Sequence, residues 1–189
     1  MSIEAGSPPR SRPSAARERI LATADRLFYD EGIRAVGIER VVAESGVTRV
    51  TLYRHFPSKD DLVAAYLEAR AERDRTRITA AAGAHHGDPR AALHEIAADT
   101  LAHCYRGCPF VNAAAEHAAT HRTRTIAAAH RTWIAEFTER LLRELGHPRP
   151  ARTARLLLML RTGAVVAGSL EGGPVERAYL AGWDALIDA

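Results

Sequence analysis

A chain of 189 residues and 20.6 kDa is long enough to bury one or two modest cores. Its 47% apolar and 26% charged residues exclude wholesale disorder, and its 2 cysteines exclude a disulfide framework. A net charge of +3 and a pI near 9.2 permit a nucleic-acid partner without requiring one. Alanine supplies 37 residues while β-branched and aromatic residues are sparse, a balance that favours helix over sheet. Of the 26 basic residues only Lys59 is lysine, a bias read as genome composition and not as function.

In chain order, residues 1–13 read as a flexible basic arm rich in Pro, Ser and Arg. This stretch has no apolar core of the kind a secretory signal needs, so the expected location is the cytoplasm. From Ser14 the apolar residues recur with helical period, and no stretch alternates with period two. A first helix is predicted over 14–31, with Ile20, Ala24, Leu27 and Phe28 on one face and Gly32 as its stop. A short helix follows over 38–45, a tight turn at Gly46, and a second short helix from Thr48, its N-cap, to about His55. Ser58 and Asp61 form a capping box for a long helix reaching about Ala82. After a break over 83–88, Asp88-Pro89 opens a helix ending near Arg106-Gly107, and Pro109 opens another to about Ala118. Helices over 122–145 and 150–170 follow. Gly172-Gly173-Pro174 separates a last one ending at Asp188. The fold class is therefore all-α with about nine helices. The domains read as 14–60 and 61–189, with the boundary near residues 57–83, where one helix joins both parts. The apolar run 156–170 is interrupted by Arg161 and reads as too short to cross a bilayer.

The most informative stretch runs from Gly37 to Lys59. Two short helices joined through Ser45-Gly46-Val47 make a helix-turn-helix. Val41, Val47, Leu52 and Phe56 can close a small core, which leaves Arg49, Val50, Tyr53 and Arg54 outward on the second helix. That face suits a major groove: an arginine can make two hydrogen bonds to guanine, and Val50 or the Thr51 methyl can touch thymine. The candidate base contacts are Arg49, Val50, Thr51, Tyr53 and Arg54. The candidate phosphate contacts are Arg40, Thr48, Tyr53, His55 and Lys59.

The run Gly46-Val47-Thr48-Arg49-Val50-Thr51-Leu52-Tyr53-Arg54-His55-Phe56, followed by Ser58-Lys59-Asp60-Asp61-Leu62, resembles the signature of the TetR family of transcriptional regulators. Arg19-Ile20-Leu21, Leu27-Phe28 and Glu31-Gly32 fit the same pattern, so the resemblance covers about residues 15–66. Val50 stands where glycine is common, and Gly37 where a serine or threonine cap is usual. The resemblance implies a homodimer whose N-terminal domains bind a palindromic double-stranded DNA operator. It also implies C-terminal helices that hold a small-molecule effector pocket, and a repressor released when the effector binds.

Two readings remain open for the last two helices. Leu156, Leu160, Gly163, Ala164, Ala167, Leu170, Tyr179, Trp183 and Leu186 could form an ordinary internal core or a dimer interface, and the family resemblance favours the interface. Leu101, Cys104, Tyr105, Phe110, His117, Trp133 and Phe137 are the candidate effector-pocket residues. An alternative input is a metal or thiol sensor built from Cys104, Cys108, His117 and His121; against it stands plain packing of small cysteines at a helix junction. The stretch between Glu116 and Glu136 has no acidic residue but holds Arg122, Arg124 and Arg131, which would suit an anionic effector. No nucleophile–base pair and no phosphate-cradling loop is present, so neither an enzyme, a cofactor, a resident metal nor a membrane partner is expected.

Overall fold

The computed structural model describes residues 14–118, 120–171 and 175–189. The basic arm over 1–13 and the Gly172-Gly173-Pro174 break lie outside the described residues. Those described form nine helices: α1 (Ala15–Glu31), α2 (Ile38–Ser45), α3 (Arg49–His55), α4 (Lys59–Gly83), α5 (Pro89–Ala102), α6 (Pro109–Ala115), α7 (Arg122–Glu144), α8 (Pro150–Glu171) and α9 (Val175–Ile187). There is no strand among them.

Local chemistry sets most of the helix ends. Ser14, Thr48, Ser58 and Asp88 each accept a backbone N–H from the first turn of the helix they cap. At Ser58 the reciprocal bond differs from the predicted box: the serine hydroxyl itself donates to the Asp61 carboxylate at 2.7 Å. Gly37 supplies no side-chain cap to α2, as its lack of a side chain requires. Gly46 ends that helix at φ +65°, a left-handed conformation that glycine adopts without steric cost, and so sharpens the turn into α3.

Two hydrophobic clusters organise the chain. The first gathers Ile20, Leu27 and Phe28 of α1, Val41 of α2, Leu52 of α3, and Leu62, Val63, Tyr66 and Leu67 of α4; Phe110 of α6 closes it. The second gathers Ile78, Leu93, Ile96, Phe137, Leu141, Leu142, Leu157, Tyr179 and Trp183 from α4, α5, α7, α8 and α9. The first half of α4 thus belongs to one core and its C-terminal part to the other.

Three expectations need correction. The fifth helix stops at Ala102 and not near Arg106, because the next residues are drawn onto α1. The Tyr29 hydroxyl donates to the Gly107 carbonyl at 2.9 Å and accepts the Arg106 N–H at 3.1 Å. The sixth stops at Ala115 and not Ala118, because the Glu116 carboxylate turns back to accept the N–H groups of Ile33 and Arg34 at 3.1 and 2.7 Å. The eighth is, by length and hydropathy alone, sufficient to cross a membrane over 150–170. Arg161, however, is buried and donates to Thr100 Oγ1 at 3.1 Å, and α7 and α9 pack along the same helix.

Leu52 is fully buried and is the apolar anchor of the seven-residue α3. Leu52→Ala should cost about 2–5 kcal/mol of unfolding free energy, measured by urea denaturation. A loss below about 0.5 kcal/mol would show that the anchor is not the one described here.

Candidate nucleic-acid interface and effector cavity

The second helix of the helix-turn-helix presents one face inward and one outward. Leu52 is buried, Val50 is 71% exposed, and Tyr53, Arg49 and Arg54 are also exposed. The Arg49 guanidinium lies 5.7 Å from the Tyr53 ring centroid and 3.3 Å from the Glu39 carboxylate. Both partners are at the surface, so this pair holds Arg49 only loosely. Arg54 has no acidic partner within 4.0 Å among the described residues. The Thr48 and Thr51 hydroxyls share a 2.9 Å hydrogen bond. His55 Nε2 meets Ser14 Oγ at 3.1 Å, which ties the end of α3 to the start of α1. Lys59 sits half-exposed in the first turn of α4. Arg40 is engaged by Glu31 and Glu44, so less of its charge is available to a phosphate.

A second feature is a cavity of about 340 Å³ between α1 and the C-terminal helices, at the small end of ligand-pocket volumes, roughly 300–1,000 Å³. Of the residues named from the sequence it gathers Cys104, Tyr105 and Phe110. Leu101 lies at a neighbouring depression with Cys104 and Tyr105, Phe137 lies in the second core, Trp133 packs at that core's edge, and His117 lies elsewhere. The rest of the wall was not anticipated: Asp25 and Tyr29 of α1, Arg70, Arg73, Asp74 and Arg77 of α4, His130 of α7 and Arg161 of α8. Two signals could have found it. Residues 70, 73, 74 and 77 fall on one helical face, and Arg161 and His130 interrupt otherwise apolar faces.

The cavity's polar groups are mostly paired. Arg70 and Arg73 both reach Asp25 Oδ1, at 2.6 and 2.7 Å, and Arg77 bridges Asp74 and Asp99 at 3.0 and 2.8 Å. Arg161 is different: it is 5% exposed, its hydrogen bond among the described residues goes to the neutral Thr100 hydroxyl, and no carboxylate oxygen lies within 4.0 Å among them. His130 is also buried and stacks on Phe110 with centroids 3.9 Å apart. Its Nε2 is 3.4 Å from Asp74 Oδ2 but outside hydrogen-bond geometry, which leaves both ring nitrogens unsatisfied. Burial holds the His130 imidazole below its ordinary range, and the pull of Asp74 only partly offsets this. Burial raises the Asp74 carboxyl, but His130, Arg77 and Arg161 together outweigh it and leave that group low. The Cys104 thiol is pushed up to about 11 by burial, so it stays neutral and unreactive near pH 7.

The four cysteine and histidine residues weighed as one sensor divide between two places. Cys104 and Cys108 line the cavity as free thiols. His117 and His121 stack with centroids 4.2 Å apart and meet Asp60 of α4. Of the arginines between the two glutamates, Arg122 pairs with Glu68 at 2.7 Å and Arg131 donates to Thr162; Arg124 is exposed.

In the last two helices, Ala164, Tyr179 and Trp183 are buried in the chain's own second core. This corrects their expected place at a subunit interface, because the chain already covers them. Leu160, Ala167 and Leu186 are partly covered, while Leu156, Gly163 and Leu170 are exposed together with Met159 and Val166.

An all-helical chain that offers an outward helix from a helix-turn-helix, with a separate helical body behind it, has the architecture of a DNA-binding regulator. The sequence model described as bacterial regulatory proteins of the tetR family matches residues 20–66. A TetR-family transcriptional regulator from Streptomyces coelicolor has a similar solved structure, with TM-score 0.86 and 38% identity over 92% of this chain and 94% of that one. This chain belongs to the TetR family: it is a transcription regulator with a DNA-binding helix-turn-helix and not an enzyme. The reduced form of E. coli NemR shares the fold, with TM-score 0.80 at 19% identity over 92% of this chain and 98% of that one. An uncharacterized HTH-type transcriptional regulator of Mycobacterium tuberculosis is 36% identical over 62 residues, 33% of this chain and 31% of that protein. The aligned part therefore spans about a third of that curated relative.

The depressed His130 sets a sign for pH dependence. Above its ordinary pKa of roughly 6.5 both folded and unfolded states are neutral there. Below it the unfolded chain gains a proton that the folded chain refuses, so stability falls as pH drops toward the lower folded value. His130→Phe, which keeps the stack on Phe110, should flatten the fall in melting temperature between about pH 7 and pH 5. An unchanged slope would remove His130 from this role.

Proposed function

We propose that this chain is a ligand-responsive repressor that binds a palindromic operator as a homodimer and leaves it when a small-molecule effector binds. The observation that carries the reading is the exposed face of α3, where Arg49, Val50, Tyr53 and Arg54 project while Leu52 holds the helix to its base. In this reading Arg49 and Arg54 address guanine edges, and Val50 and the Thr51 methyl address thymine methyls. Thr48, Tyr53, His55 and Lys59 set the register on phosphates, with Arg40 available only if it leaves its two glutamates. Residues 14–60 are the reading unit, and residues 61–189 are the effector and dimerisation unit.

A second copy would cover the exposed stripe of Leu156, Met159, Gly163, Val166 and Leu170, spaced three or four residues apart along one side of α8. Small residues on that side let two helices approach closely. The effector would occupy the cavity with an acceptor group toward Arg161, which is buried with no carboxylate oxygen within 4.0 Å among the described residues. The loop over 103–108 both walls the cavity and grips α1 through Tyr29 and through Tyr105 to Asp30. A ligand that fits a shifted loop better would therefore move the reading unit, and its preference between the two states supplies the free energy.

Two outcomes test this function. With a fragment of the chain's own upstream region, fluorescence anisotropy should show binding that weakens steeply with salt. Arg49→Ala should cost about 1–3 kcal/mol and relax discrimination at one base pair. Binding as tight as the parent's in the Arg49→Ala, Arg54→Ala pair would refute the assignment. Separately, Met159→Glu combined with Val166→Glu should convert a dimer to a monomer in sedimentation velocity while leaving the helical circular dichroism in place. A double variant that still sediments as a dimer would place the interface elsewhere.

A further inference from the structure

We propose that Asp60, His117 and His121 form a binding site for a zinc-class divalent cation, which would tie the first turn of α4 to the start of α7. The ligand atoms of these three residues all lie within 4.8 Å of one another, although Asp60 is far in sequence from the two histidines. His121 Nε2 lies 3.4 Å from Asp60 Oδ2. That is close to the edge, roughly 3.3 Å, of a tetrahedron with bonds of about 2.0–2.1 Å. The two imidazoles stack face to face, 25° from parallel with centroids 4.2 Å apart, so one ring must turn about its side-chain torsions for both Nε2 lone pairs to meet on one ion.

The hydrogen bond at His117 fits this use, and His121 needs a change of tautomer. His117 Nδ1 is 2.7 Å from the Ala113 carbonyl, so Nδ1 carries the proton and donates, and Nε2 keeps its lone pair. A backbone carbonyl on the far nitrogen is the usual anchor that orients a metal-bound histidine. His121 Nδ1 accepts the Thr123 N–H at 3.3 Å and so caps α7. A cation on His121 Nε2 requires the proton to sit on Nδ1, and Thr123 Oγ1 at 3.1 Å is placed to accept it. Cation binding therefore exchanges the Thr123 N–H bond to Nδ1 for an Nδ1–H bond to Thr123 Oγ1, and so releases the cap of α7. Two imidazoles and one carboxylate favour zinc, nickel or cobalt over magnesium or calcium, which prefer all-oxygen sets. Asp60 is largely exposed, so a water molecule can complete the coordination. Arg122, the cation on the same surface, is directed to Asp61 and Glu68. Asp60 follows the last residue of α3 by five positions, so a cation there would fix the helix-turn-helix against α7.

The test uses the full chain without an affinity tag. Zinc chloride titration followed by calorimetry, with cobalt(II) visible absorption as a second readout, should show one ion per chain. Asp60→Asn, His117→Gln and His121→Ser should each weaken zinc binding more than about tenfold and abolish the cobalt d–d bands. His121→Ser keeps an oxygen N-cap for α7, so its metal-free melting temperature should match the parent's and a folding defect is separable from ligand loss. Cys104→Ser with Cys108→Ser should leave binding unchanged. No zinc uptake by the parent, uptake undiminished in the three ligand variants, or uptake lost in the cysteine pair would each overturn the site.

Discussion

A helix of seven residues cannot hold itself in water. Nucleation fixes several residues for one hydrogen bond, and isolated helices shorter than about 12–15 residues are marginal even with favourable sequences. α3 is seven residues long, and half of its surface must stay unpacked to meet another molecule. Its order is therefore borrowed. Leu52 sinks into a core supplied by α1, α2 and α4, Thr48 caps it, and its last residue His55 is bonded back to Ser14 at the start of α1. The left-handed Gly46 sets the angle at which it leaves α2. Much of the first cluster can be understood as a mount for that one exposed face.

The same logic extends to the far end of α1. α1 is held at its C-terminal end by residues that belong to the body behind it. Tyr29 is buried, its hydroxyl is pushed up to about 12, and it both donates to Gly107 and accepts from Arg106. Glu116 satisfies two backbone N–H groups just beyond Gly32. These are bonds between distant parts of the sequence, concentrated where the cavity wall meets α1. Coupling needs such a shared element with alternative arrangements, not distance alone.

How much of this could be read from the sequence depends on whether the cause was local. Helix type, the caps at Thr48, Ser58 and Asp88, the glycine turns and the outward face of α3 all follow from neighbours within a few residues, and they were legible. The ends of α5 and α6 were not, because Tyr29 and Glu116 act from contacts 78 and 83 residues apart in sequence. Apolar periodicity shows which side of a helix is greasy but not what covers it, and so Tyr179 and Trp183 could not be told apart from Leu156 and Leu170. The cavity was legible only in part. Cys104, Tyr105 and Phe110 stand out as unusual residues, whereas the α4 arginines acquire a role only once Asp25 of α1 is placed opposite them.

The 25 residues of α4 make a rod roughly 37 Å long, at 1.5 Å per residue. A rod that is embedded in both cores behaves as a lever, converting small angles into large displacements. Pivoting by about 5° at its C-terminal end carries its first turn sideways by roughly 3 Å. Paired half-sites one helical turn apart demand a separation of about 34–36 Å between two such heads. In the proposed dimer, opposed swings of that size, one from each copy, would put the pair out of step with the groove while scarcely disturbing the packing of either body.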